Sequence, residues 1–133
     1  MEKKLIRVKD IMRTQFETVE RNETVRNALS KMKNSNTRAL IVNKRNENDE
    51  YGIVVLADIA KKVLANDRSP DRINVYEIMT KPVVQVSPDM DIRYCARLFY
   101  QFGLERAPVV ENGEIVGMVS YHVLVLRGLV QLV

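Results

Sequence analysis

The chain has 133 residues, 46% hydrophobic and 29% charged, enough for one ordinary folded domain or a compact pair of half-size units. One cysteine excludes an intrachain disulfide, and a lone histidine without a Cys/His cluster excludes an imidazole-based metal centre. The net charge of +4 lies in residues 1–67, with 14 Lys/Arg against 10 Asp/Glu; residues 68–133 hold seven of each, and without a basic stripe or interleaved aromatics the balance argues against nucleic acid as a partner.

The N-terminus has no long apolar run and resembles no signal peptide. A short helix is expected at "VKDIM", residues 8–12, and a short apolar strand at "FETV", residues 16–19. Thr24 then stands as an N-cap before Val25, Ala28, Leu29 and Met32, which fall at i, i+3, i+4 and i+7 of a helix. Asn34 and Asn36 supply its left-handed stop. "RALIVNK" and "YGIVVL" read as strands, joined by the longer polar loop "NKRNENDE", expected to be mobile. The segment 65–74, "ANDRSPDRIN", is polar, contains Pro70 and reads as a connector.

The same order then returns. "VYEIM" at 75–79 repeats "VKDIM" at an offset of 67 residues, and "VVQV" matches the first short strand. Asp91 caps a helix marked by Ile92, Cys95, Ala96 and Phe99, with Gly103 as its stop. "RAPVV" at 106–110 matches "RALIV" at 38–42, which places the offset at 68 from this point and makes copy one a residue shorter. Asn112-Gly113 marks a tight hairpin into "IVGMVS". The tail from Tyr121 carries Val123, Leu124, Val125, Leu126, Leu129, Val130, Leu132 and Val133, apolar on too many sides for one solvated face. It is too short to cross a bilayer and is interrupted by Arg127, so a second subunit is the expected cover. Cys95, on the apolar stripe, reads as core packing. Self-similarity at a long fixed period means that each copy is a supersecondary unit leaning on its twin. The expected class is α+β: two β-α-β-β-α repeats, each with a short preceding helix, divided as 1–64, a 65–74 linker and 75–133.

In this order and duplication the motifs resemble a tandem of cystathionine-beta-synthase-type (CBS) domains, a Bateman module, over about Val8 to Leu129. The resemblance implies two repeats packed as a pseudo-twofold pair. It also implies a regulatory protein that binds an adenosine-containing nucleotide between the repeats and signals through dimer geometry; the single cysteine, the N-terminus and the interrupted tail favour the cytoplasm. AMP or ADP is expected before ATP, as a regulatory ligand and not a cofactor. Expected partners are that nucleotide, a second copy through the terminal helices and an unidentified effector protein, with no membrane. The family's ligand signature is a Gly, a hydroxyl three positions on and an acid six positions on. Copy one has Gly52, Val55 and Asp58, and copy two has Gly117, Ser120 and Val123. The acid would take ribose hydroxyls and the hydroxyl would take phosphate. One main site lined by Asp58 is therefore expected, with the second empty or altered.

Arg38 and Arg106 stand where the family often sends an Arg toward phosphate. Ala39–Ile41 and Ala107–Val109 would form an adenine slot, and Thr18 and Gln85 would meet the purine. His122 lies beside the possible phosphate position. Each has a plainer reading: Asp58 complements a helix dipole, Ser120 caps the last helix, and the arginines are solvated or paired. The alternative function is a dimerisation module whose clefts bind nothing. Catalysis finds no support, since Asp89 and Asp91 read as turn and cap residues and there is no P-loop or activated nucleophile.

Overall fold

The computed structural model describes residues 4–133. The chain packs as two compact units: an inner unit, Glu17–Val83, and an outer unit that joins the N-terminal segment up to Phe16 with Val84–Val133.

In the inner unit a three-stranded sheet has the order β1 (Thr18–Val19), β2 (Ala39–Val42), β3 (Gly52–Val55). β1 lies parallel to β2, because helix α2 (Val25–Ser35) makes the crossover, whereas β2 and β3 are antiparallel. The Thr24 hydroxyl accepts the Asn27 N–H at 3.2 Å, and Asn36 closes the helix at φ 51°. Val25, Ala28 and Met32 bury one helical face against Leu40, Val42 and Val54 of the sheet. Helix α3 (Leu56–Ile59) follows β3 directly and continues as a wider π turn over Ala60–Leu64. Segment 65–74 does not hang free: Ile73 is buried, its carbonyl accepts the Val25 N–H at 2.8 Å, and Arg26 pairs with Asp71.

The polar loop after β2 is tied as well. The Asp49 carboxylate, 8% exposed, lies 2.6 Å from Lys81 Nζ and accepts the Arg45 backbone N–H at 2.8 Å. Those bonds hold it well below the usual carboxylate range, led by the Lys81 contact.

The outer unit uses the same parts. Helix α4 (Ile92–Phe102) starts at Asp91, whose carboxylate accepts the Arg93 N–H at 2.8 Å, and stops at Gly103 with φ 64°. β4 (Arg106–Glu111) and β5 (Glu114–Ser120) form a hairpin whose turn residues Asn112 and Gly113 both have positive φ, 54° and 79°. That pair of dihedrals matches the right-handed twist of the flanking strands. The expected strand at "VVQV" reduces to an isolated parallel bridge, Val86 to Val109. Ile92, Cys95 and Phe99 form the buried stripe of α4, and burial pushes the Cys95 thiol up to about 11. The tail winds as α5 (Tyr121–Val123), a π turn (Leu124–Gly128) and a 3-10 turn (Leu129–Leu132). Val123, Leu124 and Gly128 are buried, whereas Val125, Leu126, Leu129 and Val130 are 47–58% exposed.

Packing crosses the repeat boundaries. The opening turn of copy one, α1 (Val8–Ile11), belongs to the outer unit, where Val8 donates its N–H to the Met90 carbonyl. The opening turn of copy two, Val75–Glu77, belongs to the inner unit, where Val75 donates to the Glu23 carbonyl.

Strand pairing also corrects the repeat register. Val42 pairs with Gly52 and Val109 with Gly117, so Val42 matches Val109 at an offset of 67. The helix stops Asn36 and Gly103 keep the same 67, so copy one has lost no residue there. Arg38 therefore corresponds to Glu105, and Arg106 to Ala39. The hydrogen bonds agree: Leu56 N–H reaches the Arg38 carbonyl, and Tyr121 N–H the Glu105 carbonyl. Only the second pair of strands is displaced, by the shorter hairpin loop, to an offset of 65.

Candidate ligand half-sites

In the inner unit Thr18, Ala39, Ile41 and Val55 come to one face of the sheet, because Thr18 pairs with Ile41 and Ala39 with Val55. Leu40, Val42 and Val54 point the other way into the core. Ala39 and Ile41 are buried and Thr18 half-buried, an apolar strip with one hydroxyl at its edge. At its end β3 turns into α3, which carries Asp58 and leads on to Lys62. One Asp58 oxygen accepts the Val55 N–H at 3.0 Å, and the other lies 3.7 Å from Lys62 Nζ. Arg38, exposed and without a side-chain partner among the described residues, is fixed at the same junction through its carbonyl, 3.1 Å from Leu56 N.

In the outer unit the corrected register changes which residues share the matching face. Arg106 pairs with Ser120 and Pro108 with Met118, and these four occupy it. Ala107 and Val109, expected in an adenine slot, are instead fully buried in the core with Val119. A one-residue slip reverses every side chain of a strand, so aligning the two Arg-Ala pairs exchanged core and site face. Arg106 lies 3.7 Å from Glu105, which stands in Arg38's place. Gln85 is exposed beside the Val86 bridge, and His122 is exposed on the first turn of α5.

The two broken signatures prove to be two halves of one capping box. In a full box the N-cap hydroxyl takes the N3 amide and the N3 acid takes the N-cap amide. Asp58 supplies the second bond to Val55, and Ser120 supplies the first, accepting the Val123 N–H at 3.2 Å. The plainer helix-start readings of both residues are thus observed.

The signature glycines have an equally local reason. A Cβ on Gly117 would lie 2.7 Å from the Arg13 carbonyl oxygen and 2.7 Å from the Met12 sulfur. One on Gly52 would lie 3.1 Å from the Thr80 carbonyl oxygen and 3.1 Å from the Met79 sulfur. Each glycine is the groove through which the strip after an opening turn passes, a packing contact that sequence reading missed. Its signal was present in the repeated Ile-Met at 11–12 and 78–79.

A model of the family described as "CBS domain" matches residues 8–65 and again 75–126. The chain belongs to the CBS domain family. Its fold is that of known CBS proteins: a hexameric CBS-CP12 protein from bloom-forming cyanobacteria superimposes with a TM-score of 0.90 at 38% identity, over 93% of this chain and 72% of that one. The CBS domain pair of protein MJ0100, solved in complex with 5′-methylthioadenosine and S-adenosyl-L-methionine, gives a TM-score of 0.77 at 25% identity, over 90% of this chain and 97% of that one. The homoserine O-acetyltransferase of Methanococcus vannielii is 34% identical over 85% of this chain. This CBS chain spans only 39% and 23% of the lengths of two curated relatives, the second being that acetyltransferase. No helix among the described residues is long and apolar enough to cross a membrane.

Proposed function

We propose that this CBS pair is a non-catalytic regulatory module that binds an adenine nucleotide, AMP or ADP before ATP, at the Asp58 half-site, and passes occupancy to an effector protein through the geometry of a dimer. The observation that carries it is the β3–α3 junction of the inner unit. There a carboxylate with spare acceptor capacity is anchored beside an apolar strip, and Arg38, exposed and without a side-chain partner among the described residues, is bonded to the same turn through its backbone carbonyl. A carboxylate accepts from a ribose diol and a guanidinium matches phosphate, so the pair selects a phosphorylated ribonucleoside. The adenosyl ligands of the MJ0100 pair support the nucleoside part of this reading. The outer half-site has Val123 in place of the acid, and its guanidinium, Arg106, lies 3.7 Å from Glu105. The exposed Val125, Leu126, Leu129 and Val130 support a second copy as partner.

Calorimetric titration of AMP into wild type and Asp58→Ala tests the assignment. The variant is expected to bind at least tenfold more weakly, about 1.4 kcal/mol, and equal affinity would refute it. A thermal-shift panel separates the dimerisation alternative: if no adenine nucleotide at millimolar concentration raises the melting temperature, the half-sites are empty scaffolding.

A further inference from the structure

In both units one cation reaches back from the closing helical segment to the end of an opening turn. Lys62 Nζ donates to the Ile78 carbonyl at 2.9 Å in the inner unit, and Arg127 Nη1 donates to the Ile11 carbonyl at 3.3 Å in the outer unit. The two bonds are equivalent, since 62 and 127 differ by the 65 of the closing strands and 11 and 78 by the 67 of the openers. Two different side chains make the same bond, so this staple belongs to the fold. What differs is the residue one turn earlier, Asp58 in the inner unit and Val123 in the outer.

Only in the inner unit, then, does the staple also hold a carboxylate. Asp58 Oδ2 is fixed by the Val55 N–H, and Oδ1 faces Lys62 Nζ at 3.7 Å. That separation is an ion pair and not a hydrogen bond, so the Oδ1 lone pairs stay open while the carboxylate plane is set from both sides. A diol needs that fixed plane, because its two hydroxyls must meet acceptors at a set spacing. The ammonium also offsets the charge of Asp58 toward an approaching phosphate. The Ile78 carbonyl it grips begins the strip whose Thr80 exchanges two backbone hydrogen bonds with Ile53, each 2.9 Å, alongside Gly52.

We propose that Lys62 is the positioning residue of the Asp58 half-site, orienting the carboxylate for a ribose diol and tying its occupancy to the Ile78–Thr80 strip. This rests on the nucleotide reading above. The test is calorimetric titration of AMP and 2′-deoxy-AMP into wild type, Lys62→Met, Lys62→Arg and Arg127→Met. Wild type is expected to prefer AMP by about tenfold, the worth of one charge-assisted hydrogen bond. Lys62→Met should cut that preference below about threefold while Lys62→Arg keeps it, since the orienting charge and not the stem sets the carboxylate. Arg127→Met removes the same staple where no acid stands, so it should lower the melting temperature and leave the preference unchanged. Should the methionine variant not fold, Lys62→Gln carries the same comparison. If Lys62 substitution weakens both nucleotides equally, or neither, Lys62 is only a staple and the proposal falls. If wild type binds neither nucleotide, the nucleotide reading itself falls and takes the proposal with it.

Discussion

Adding one methyl group at each of two equivalent glycines should have unequal consequences. At Gly117 the new Cβ would sit 2.7 Å from the Arg13 carbonyl oxygen, inside any van der Waals contact, and 2.7 Å from the Met12 sulfur. The sulfur end can swing away, but the carbonyl cannot, because Arg13 and Met118 exchange hydrogen bonds of 2.9 and 2.8 Å. Overpacking costs about 1–3 kcal/mol and a strained hydrogen bond about 1 kcal/mol more. The lower entropy of the unfolded alanine chain returns about 0.4–1 kcal/mol. Gly117→Ala should therefore destabilise by about 2 kcal/mol, a fall of roughly 6–10 °C in melting temperature for a chain of this size. At Gly52 the nearest atoms are 3.1 Å away, so small shifts of Met79 and Thr80 suffice. Gly52→Ala should lie within about 1 kcal/mol of wild type, with the same entropic return working in its favour. Thermal denaturation by circular dichroism decides. A Gly117→Ala protein as stable as wild type, or less affected than Gly52→Ala, would show that the strip after α1 is not held against β5 as described.

Three other consequences can be measured on the same material. The Cys95 thiol is pushed up to about 11 by burial, whereas in the unfolded chain it ionises near its ordinary value of about 8.5. Its contribution is therefore complete below about pH 8.5 and is lost as pH rises toward 11, so wild type should lose melting temperature over that range more steeply than Cys95→Ala; parallel slopes refute this. Asp49 has the opposite sign. Its carboxylate is held below the usual range by Lys81, so the stability it adds is present above about pH 4 and lost as pH falls below that, and the gap between wild type and Asp49→Asn should narrow from pH 7 to pH 2. A gap that stays constant would mean that the Lys81 contact does not persist in solution. Finally, the proposed dimer should be present in wild type and lost in Leu126→Glu with Val130→Glu by sedimentation equilibrium; a monomeric wild type, or a variant of unchanged mass, would refute a dimer through this face.

Much of the local structure was legible because it rests on single residues with one physical job. Thr24 and Asp91 cap helices, Asn36 and Gly103 end them at positive φ, and Asn112-Gly113 turns the hairpin, all from rules that need no tertiary information. Register was legible only in part. The pairs Arg38-Ala39 and Arg106-Ala107 look equivalent by letter, yet pairing depends on which side chains enter the core, and Leu40 and Val42 answer to Ala107 and Val109. The unchanged spacing of the helix stops would have exposed the slip. The exchange of opening turns was not legible, since nothing in an apolar "VKDIM" states which of two similar bodies it will join.

The ligand signature shows why function is harder to read than fold. A hydroxyl and an acid three residues apart at a strand-to-helix junction form a capping box whatever else they do, so their presence alone does not report a ligand. Capping and binding are nonetheless compatible. A carboxylate has about four acceptor positions, of which the Val55 N–H takes one, and a serine hydroxyl that accepts the Val123 N–H still has its proton to donate. The two half-sites also differ at the residue before the second strand. Arg38, without a side-chain partner among the described residues, precedes β2 in the unit that keeps the acid, whereas Glu105 precedes β4 in the unit that lost it and lies 3.7 Å from Arg106. The chain thus builds the same turn twice and keeps the acid in one copy and the hydroxyl in the other.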